Sequence, residues 1–286
     1  EFASSKRHFR RVLELTDAQE IGPSRANALA GLWKIESRTA HESEIAPLVS
    51  LLIESFDYFV ANGDTRSAID LASWTATPYS SPRGIDEVVA RALELVDPDS
   101  VDAGRLLARR VITAYMERKA LDEAHHYFDQ AVAIARKFDD KDLELAAHAA
   151  MLSTDGHSET GVTDENLVIR GIELAEASSD LFFESVILFR TITWYSTTGD
   201  QESAWRYMNR AREIDGLIKS PNRKSTNLAL ESLLYMNEGK FDEARKLYEE
   251  ALSIDSTDER PMMIAIRMEL ERGDIKRADK YFRDIN

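Results

Sequence analysis

At 286 residues, with 43% hydrophobic and 30% charged residues, the chain has enough apolar material for a folded core, and with no cysteine it excludes disulfides and thiolate metal sites. A balance of 51 acidic against 36 basic residues leaves −15, a charge that repels phosphate backbones and argues against direct nucleic-acid binding. Only 12 Gly and 7 Pro are present, too few for a turn-rich β-sandwich or barrel, and no run approaches the roughly 18 apolar residues of a membrane span.

In chain order, Glu1-Phe2 reads as the translation of a cloning junction and is set aside. Helix pairs are expected to begin near Ser24, Glu44, Pro82, Asp99, Asp140, Leu181, Ser220 and Asp258. That makes about fifteen helices of roughly 10 to 18 residues and no strand. Ser81-Pro82 and Ser220-Pro221 each place a capping hydroxyl before a Pro at the first helical position, where the missing N–H costs nothing. Asp258-Glu259 puts acidic groups at the positive end of a helix dipole. The apolar run from Leu181 could pass for a buried strand, but Leu181, Ser185, Leu188, Ile192 and Tyr195 recur at steps of three and four and predict a helix. The longest polar breaks are residues 75–84 and 154–163, and the second is expected to be a mobile loop.

One local pattern repeats. Lys119 to Ala124, Gly199 to Ala204, Gly239 to Ala244 and Gly273 to Ala278 share a turn followed by Ala. Four residues after each Ala stands a large apolar residue: Phe128, Met208, Tyr248 and Phe282. Ala131, Gly171, Ala211 and Ala251 are spaced by 40, Ile285 follows by 34, and Ala92 precedes by 39. Asp164 and Val168 mark a weaker copy around Gly171, and Gly63 to Ala68 repeats the turn near the start. A period of this length means a solenoid of helix pairs. In the copy from Ser225, the first helix carries Leu228, Glu231, Ser232 and Tyr235 on one face, and Gly239 ends it in the left-handed region. The second helix puts Ala244, Tyr248, Ala251 and Leu252 on its inner face.

Gly239, Phe241, Ala244, Tyr248 and Ala251, with Ser232 and Tyr235 upstream, resemble the tetratricopeptide repeat signature. The 40-residue steps, and the stretch from Asp97 to Arg136, are similar to the divergent repeats of bacterial signalling ATPases such as LuxR-type, maltose-activator-like regulators. The resemblance implies an all-α, right-handed superhelical solenoid of antiparallel helix pairs, about seven repeats in one domain over 1–286. Residues 3–98 form divergent repeats and 99–286 regular ones. It also implies a piece of a longer chain carrying an ATPase module and an output domain.

Catalytic motifs are missing. Met236 to Lys240 resembles the end of a phosphate loop, but the first Gly is absent and Phe241 replaces the magnesium-holding hydroxyl. His41-Glu42 lacks a second His, and Asp97, Asp99 and Asp102 lack the Gly of a calcium loop. His125 and His126 point about 100° apart on a helix and cannot easily share one ion, so an exposed face is the expectation. Trp33, Trp74, Trp194 and Trp205 read as packing residues, with one of Trp194 and Tyr195 left facing out.

In arrays of this kind the first helix of each pair lines the concave surface. The resemblance places Arg109, Thr113, Glu117, Ser153, Phe189, Thr193, Thr197, Asn237 and Arg267 there. Thr113 and Ala150 occupy two positions where carboxylate-clamping arrays use Lys or Asn, so capture of a peptide terminus is not implied. The expectation is a cytoplasmic, non-catalytic sensor or protein-interaction module without cofactor or metal. It would bind a small molecule, peptide, partner protein or neighbouring domain, and neither nucleic acid nor membrane. A free-standing scaffold is the alternative, and an α/α-barrel enzyme using paired carboxylates is the alternative from another class.

Overall fold

The computed structural model describes residues 2–16, 21–39, 42–75, 82–155, 164–218, 220–254, 256 and 259–285. Every regular element among the described residues is helical. The chain divides into two compact units, Glu1–Ser178 and Ser179–Asn286.

The first unit contains α1 (Phe2–Leu15), α2 (Pro23–Thr39), α3 (Glu42–Ile45), α4 (Val49–Ala61), α5 (Thr65–Ala72), α6 (Ile85–Leu93), α7 (Val101–Arg118), α8 (Leu121–Phe138), α9 (Lys141–Asp155) and α10 (Glu165–Ala177). α7 packs on α5, α6, α8 and α9, so it is covered on nearly every side. The second unit contains α11 (Leu181–Thr198), α12 (Gln201–Ile218), α13 (Pro221–Asn237), α14 (Phe241–Ile254), α15 (Glu259–Glu271) and α16 (Ile275–Ile285). Its helices form the antiparallel pairs α11–α12, α13–α14 and α15–α16, with α11 beside α13 and α13 beside α15. Each unit is all-α among its described residues and packs its helices in pairs, as the 40-residue spacing predicts.

The repeated small residues are the contact points. Ala124, Ala204, Ala244 and Ala278 are buried, as are Ala131, Gly171, Ala211 and Ala251 forty residues apart. Met208 and Tyr248 fill the space between them, and Phe128 is half-buried. Phe282, at the same register, is instead 58% exposed, because no described helix follows α16 to cover it. Gly239 adopts φ 75 and ends α13, and Gly63, Gly199 and Gly273 repeat that turn. Lys119 and Asp139 take the same conformation with a Cβ, at φ 56 and 53.

A charged pair recurs with the same period. Glu144 of α9 accepts from Arg170 of α10, and Glu184 of α11 accepts from Arg210 of α12, 26 residues later in both cases. In the next repeat Lys224 of α13 meets Glu250 of α14, again 26 residues apart but with the signs exchanged.

Several local expectations are corrected. The helix expected near Glu44 is one turn, Glu42–Ile45, followed by a 3₁₀ turn at Ala46–Leu48; Pro47 offers no N–H to continue an α-helical ladder. α6 begins at Ile85 behind Gly84 with φ 103, not at a Ser81-Pro82 cap, and Ser81 lies outside the described residues. Pro221 does occupy the first turn of α13, but the Ser220 side chain caps nothing. The face expected for α13 is only partly interior: Ser232 is buried, while Leu228, Glu231 and Tyr235 are half-buried. A first helix sits between its own partner and the next pair, so its buried positions spread beyond one stripe. Asp258 and most of 154–163, the expected mobile loop, lie outside the described residues.

Candidate functional site

In the first unit, three of the residues expected on a groove, Arg109, Thr113 and Ser153, are interior, and Glu117 is half-buried. Thr113 is fully buried and donates to Asp86 Oδ1 at 2.8 Å. Arg110 Nε donates to the same carboxylate at 3.2 Å, and Arg118 Nε lies 3.2 Å from Oδ2. Glu117 accepts from the N–H groups of Gly84 and Asp86, both at 2.9 Å, and so caps the start of α6. Ser153 is fully buried. Arg109 is 2% exposed and none of its three side-chain nitrogens has a hydrogen-bond partner. Burial pushes its pKa down to about 10, with Glu117 opposing the shift and Arg38 adding to it. Arg109, Thr113 and Ser153 are therefore enclosed, while Glu117 is half-buried. The reason is the packing of α7 and α9, whose supposedly free faces are covered by neighbouring helices.

The second unit keeps its expected residues accessible. Phe189 and Thr193 are half-buried on α11, and Thr197 is exposed one turn further on. Thr193 and Thr197 donate back to the carbonyls of Phe189 and Trp194, both at 2.9 Å. Asn237 ties α13 to α11 by donating to Ser196 Oγ at 2.7 Å, and Arg267 of α15 pairs with Glu271 at 2.9 Å. Because α11, α13 and α15 lie side by side, these five residues belong to one row of helices. Trp194 and Tyr195 are both half-buried, in edge contact at 4.7 Å, and Tyr195 stacks on Tyr207.

The same unit contains a cleft of about 580 Å³ that the sequence reading missed. It is lined by the end of α12, the first half of α13 and Ile254 at the end of α14. Pro221, Leu228 and Ile254 give it apolar walls. Asp215 Oδ2 accepts from Asn227 Nδ2 at 2.7 Å, but its other oxygen, Oδ1, is buried without a partner. Ser220, 7% exposed, also has a buried hydroxyl without a partner. Burial raises the Asp215 pKa, against the bond from Asn227 and the charges of Arg223 and Lys224. Arg212 is held by Glu231 at 2.6 Å and Lys224 by Glu250 at 2.8 Å. The only sequence trace of this site is the polar order Asp215, Ser220, Asn227 and Glu231 around a helix-breaking Ser220-Pro221, which reads as a turn until the coordinates bring it together.

Buried carboxylates elsewhere are paired. Glu269 is fully buried and accepts from Arg245 at 2.7 Å and from Tyr248 at 2.7 Å. For Glu144, burial works to raise the pKa, but hydrogen bonds from Arg170 and Arg136 outweigh it and hold the group below the usual range. His125 and His126 are exposed, with His125 Nε2 3.7 Å from Asp155. Among the described residues no three His, Asp or Glu side chains converge as metal ligands would, and no helix is long and apolar enough to cross a membrane.

The family model of the tetratricopeptide repeat matches residues 227–258, which cover α13 from Asn227, the Gly239 turn and α14. No curated protein sequence matches the chain.

Proposed function

We propose that this tetratricopeptide-like chain is a non-catalytic interaction module that docks a protein or peptide partner along the row formed by α11, α13 and α15. The observation that carries this reading is the accessible line of Phe189, Thr193 and Thr197 on α11, continued by Asn237 and Arg267 on the two neighbouring helices. A partner touching all three helices would bridge successive repeats, and an aromatic ring beside hydroxyls and a guanidinium suits a polar peptide. The repeat match at 227–258 supports protein binding in general. The resemblance to LuxR-type regulators supports a place in bacterial signalling or transcription control, and the absence of cysteine fits a cytoplasmic setting. Against the enzyme alternative with paired carboxylates, Glu144, Glu184 and Glu269 each hold an arginine, so none of these three is a poised acid or base.

Affinity capture with the wild-type chain and with a Phe189→Ala, Arg267→Glu double variant tests the reading. Partners bound by the first and lost from the second, with the helical circular dichroism unchanged, are the expected result. Equal capture by both would move the interface off this row.

A further inference from the structure

We infer that the cleft between α12, α13 and the end of α14 binds a small organic cation, a primary amine carried on an apolar body. The inference begins from two unused groups on its wall. Asp215 Oδ1 and Ser220 Oγ are both buried and both lack a hydrogen-bond partner, although each lines a cleft large enough for a small molecule. Buried polar atoms are ordinarily satisfied, and leaving a carboxylate oxygen without a donor is costly. A ligand that donates to both oxygens removes that cost.

The charges around the cleft select the ligand's sign. Arg212 is closed by Glu231 and Lys224 by Glu250, so neither cation is free to take an anion. Asp215 accepts a hydrogen bond from the neutral amide of Asn227 alone, the charges of Arg223 and Lys224 reaching it without one, and its second oxygen is left for an N–H group. An ammonium is acceptor-free and carries three donors, which suits a carboxylate oxygen and a hydroxyl lining the same cleft. Pro221, Leu228 and Ile254 then receive the apolar remainder. The occupant is a small molecule and not a basic peptide, because the two unsatisfied atoms are sunk below the surface and not spread along it. This site is separate from the α11–α13–α15 row, and it stands or falls independently of the partner proposed there.

The test is an amide-resolved titration of the whole chain with phenethylamine, 2-phenylethanol and phenylacetate at millimolar concentration. These three share one apolar body and differ in the charge of the head group. The expected result is saturable shifts confined to residues around Asp215, Ser220, Asn227 and Leu228, produced by the amine and not by the other two. Asp215→Asn keeps the shape and removes the charge, and should weaken amine binding about tenfold or more. Ser220→Ala should weaken it by a smaller factor, while both variants retain the wild-type spectrum elsewhere. Preference for phenylacetate, equal binding of the alcohol, absence of shifts at the cleft, or full-strength amine binding by Asp215→Asn would each overturn the inference.

Discussion

Tyr248 donates its hydroxyl to Glu269 Oε1 at 2.7 Å across the contact between α14 and α15, and Glu269 itself is fully buried. Arg245 completes the site from the turn before, with two contacts to the same oxygen at 3.0 and 2.8 Å and one to the other at 2.7 Å. A fixed aromatic of the repeat pattern thus also solvates a buried carboxylate. Burial and the bond to Glu269 raise the Tyr248 pKa, so the phenol stays protonated and keeps donating. Tyr248→Phe should cost about 1.5–3 kcal/mol, the range for a hydrogen bond to a charged group. Glu269→Ala, which strands Arg245, should cost about 3–5 kcal/mol. Urea denaturation of both variants measures the difference, and a larger loss for Tyr248→Phe would contradict the assignment.

Arg109 predicts the opposite sign. Its guanidinium is buried with no hydrogen-bond partner, and Arg38 adds like charge nearby. Arg109→Met keeps the length of the side chain and discards the desolvated charge, so the variant should be more stable by about 1–3 kcal/mol. A shift of the thermal midpoint upward is the expected measurement, and a marked fall would mean that the charge is compensated in solution.

Acid should loosen the α8–α9 contact through His148. The ring is 3% exposed, donates from Nδ1 to the Glu144 carbonyl at 2.8 Å and meets Phe128 edge-on. Burial lowers its pKa below 6.5, against the pull of the Glu144 carbonyl and carboxylate and in line with the push of Arg170 and Arg136. With the folded value below the unfolded one, the neutral ring's contribution is fully present above about pH 6.5 and is lost as pH falls through the lowered value. The stability gap between wild type and His148→Gln should therefore narrow on going from neutral pH to about pH 5, read as the convergence of their urea midpoints.

Gly104 marks a close helix approach in the first unit. A Cβ placed there would stand 2.6 Å from Leu143 Cδ2 and 2.9 Å from Ile134 Cγ2. Gly104→Ala gains roughly 0.5–1 kcal/mol of helix propensity, but overpacking costs roughly 1–3 kcal/mol. A net destabilisation is expected in chemical denaturation, whereas the same substitution at a surface helical glycine such as Gly216, with nothing within 4 Å, should stabilise.

The helix starts at 23, 101, 141, 181, 221 and 259 fall within two residues of the sequence expectation, because Pro, Asp and Ser mark helix entry by local chemistry. Buried Ala and Tyr positions were legible for the same reason: the 40-residue register repeats the same contact. Exposure was not. Helical periodicity separates one face of α7 from the other, but it carries no record that α5, α6, α8 and α9 cover both, so Arg109, Thr113 and Ser153 were expected on a groove and lie inside. The Asp215–Ser220 cleft escaped because its walls come from three helices, and the unsatisfied atoms that define it exist only once those helices meet.

The exchanged signs of the recurring ion pair bear on how the repeats tell one another apart. Glu184 with Arg210 and Lys224 with Glu250 occupy one register, so helix pairs of nearly equal shape carry opposite polarity. Were α11 to take α14 as its partner in place of α12, Glu184 would face Glu250; were α13 to take α12, Lys224 would face Arg210. Each exchange sets like charges together and forfeits an attraction, at a few tenths of a kcal/mol or more per contact where, as at Lys224 and Glu250, the side chains are exposed. Repetitive chains are prone to cross-pairing of look-alike modules, within one molecule or between two. The reversed pair labels the α13–α14 module electrically against its α11–α12 neighbour, and the label fades as salt rises.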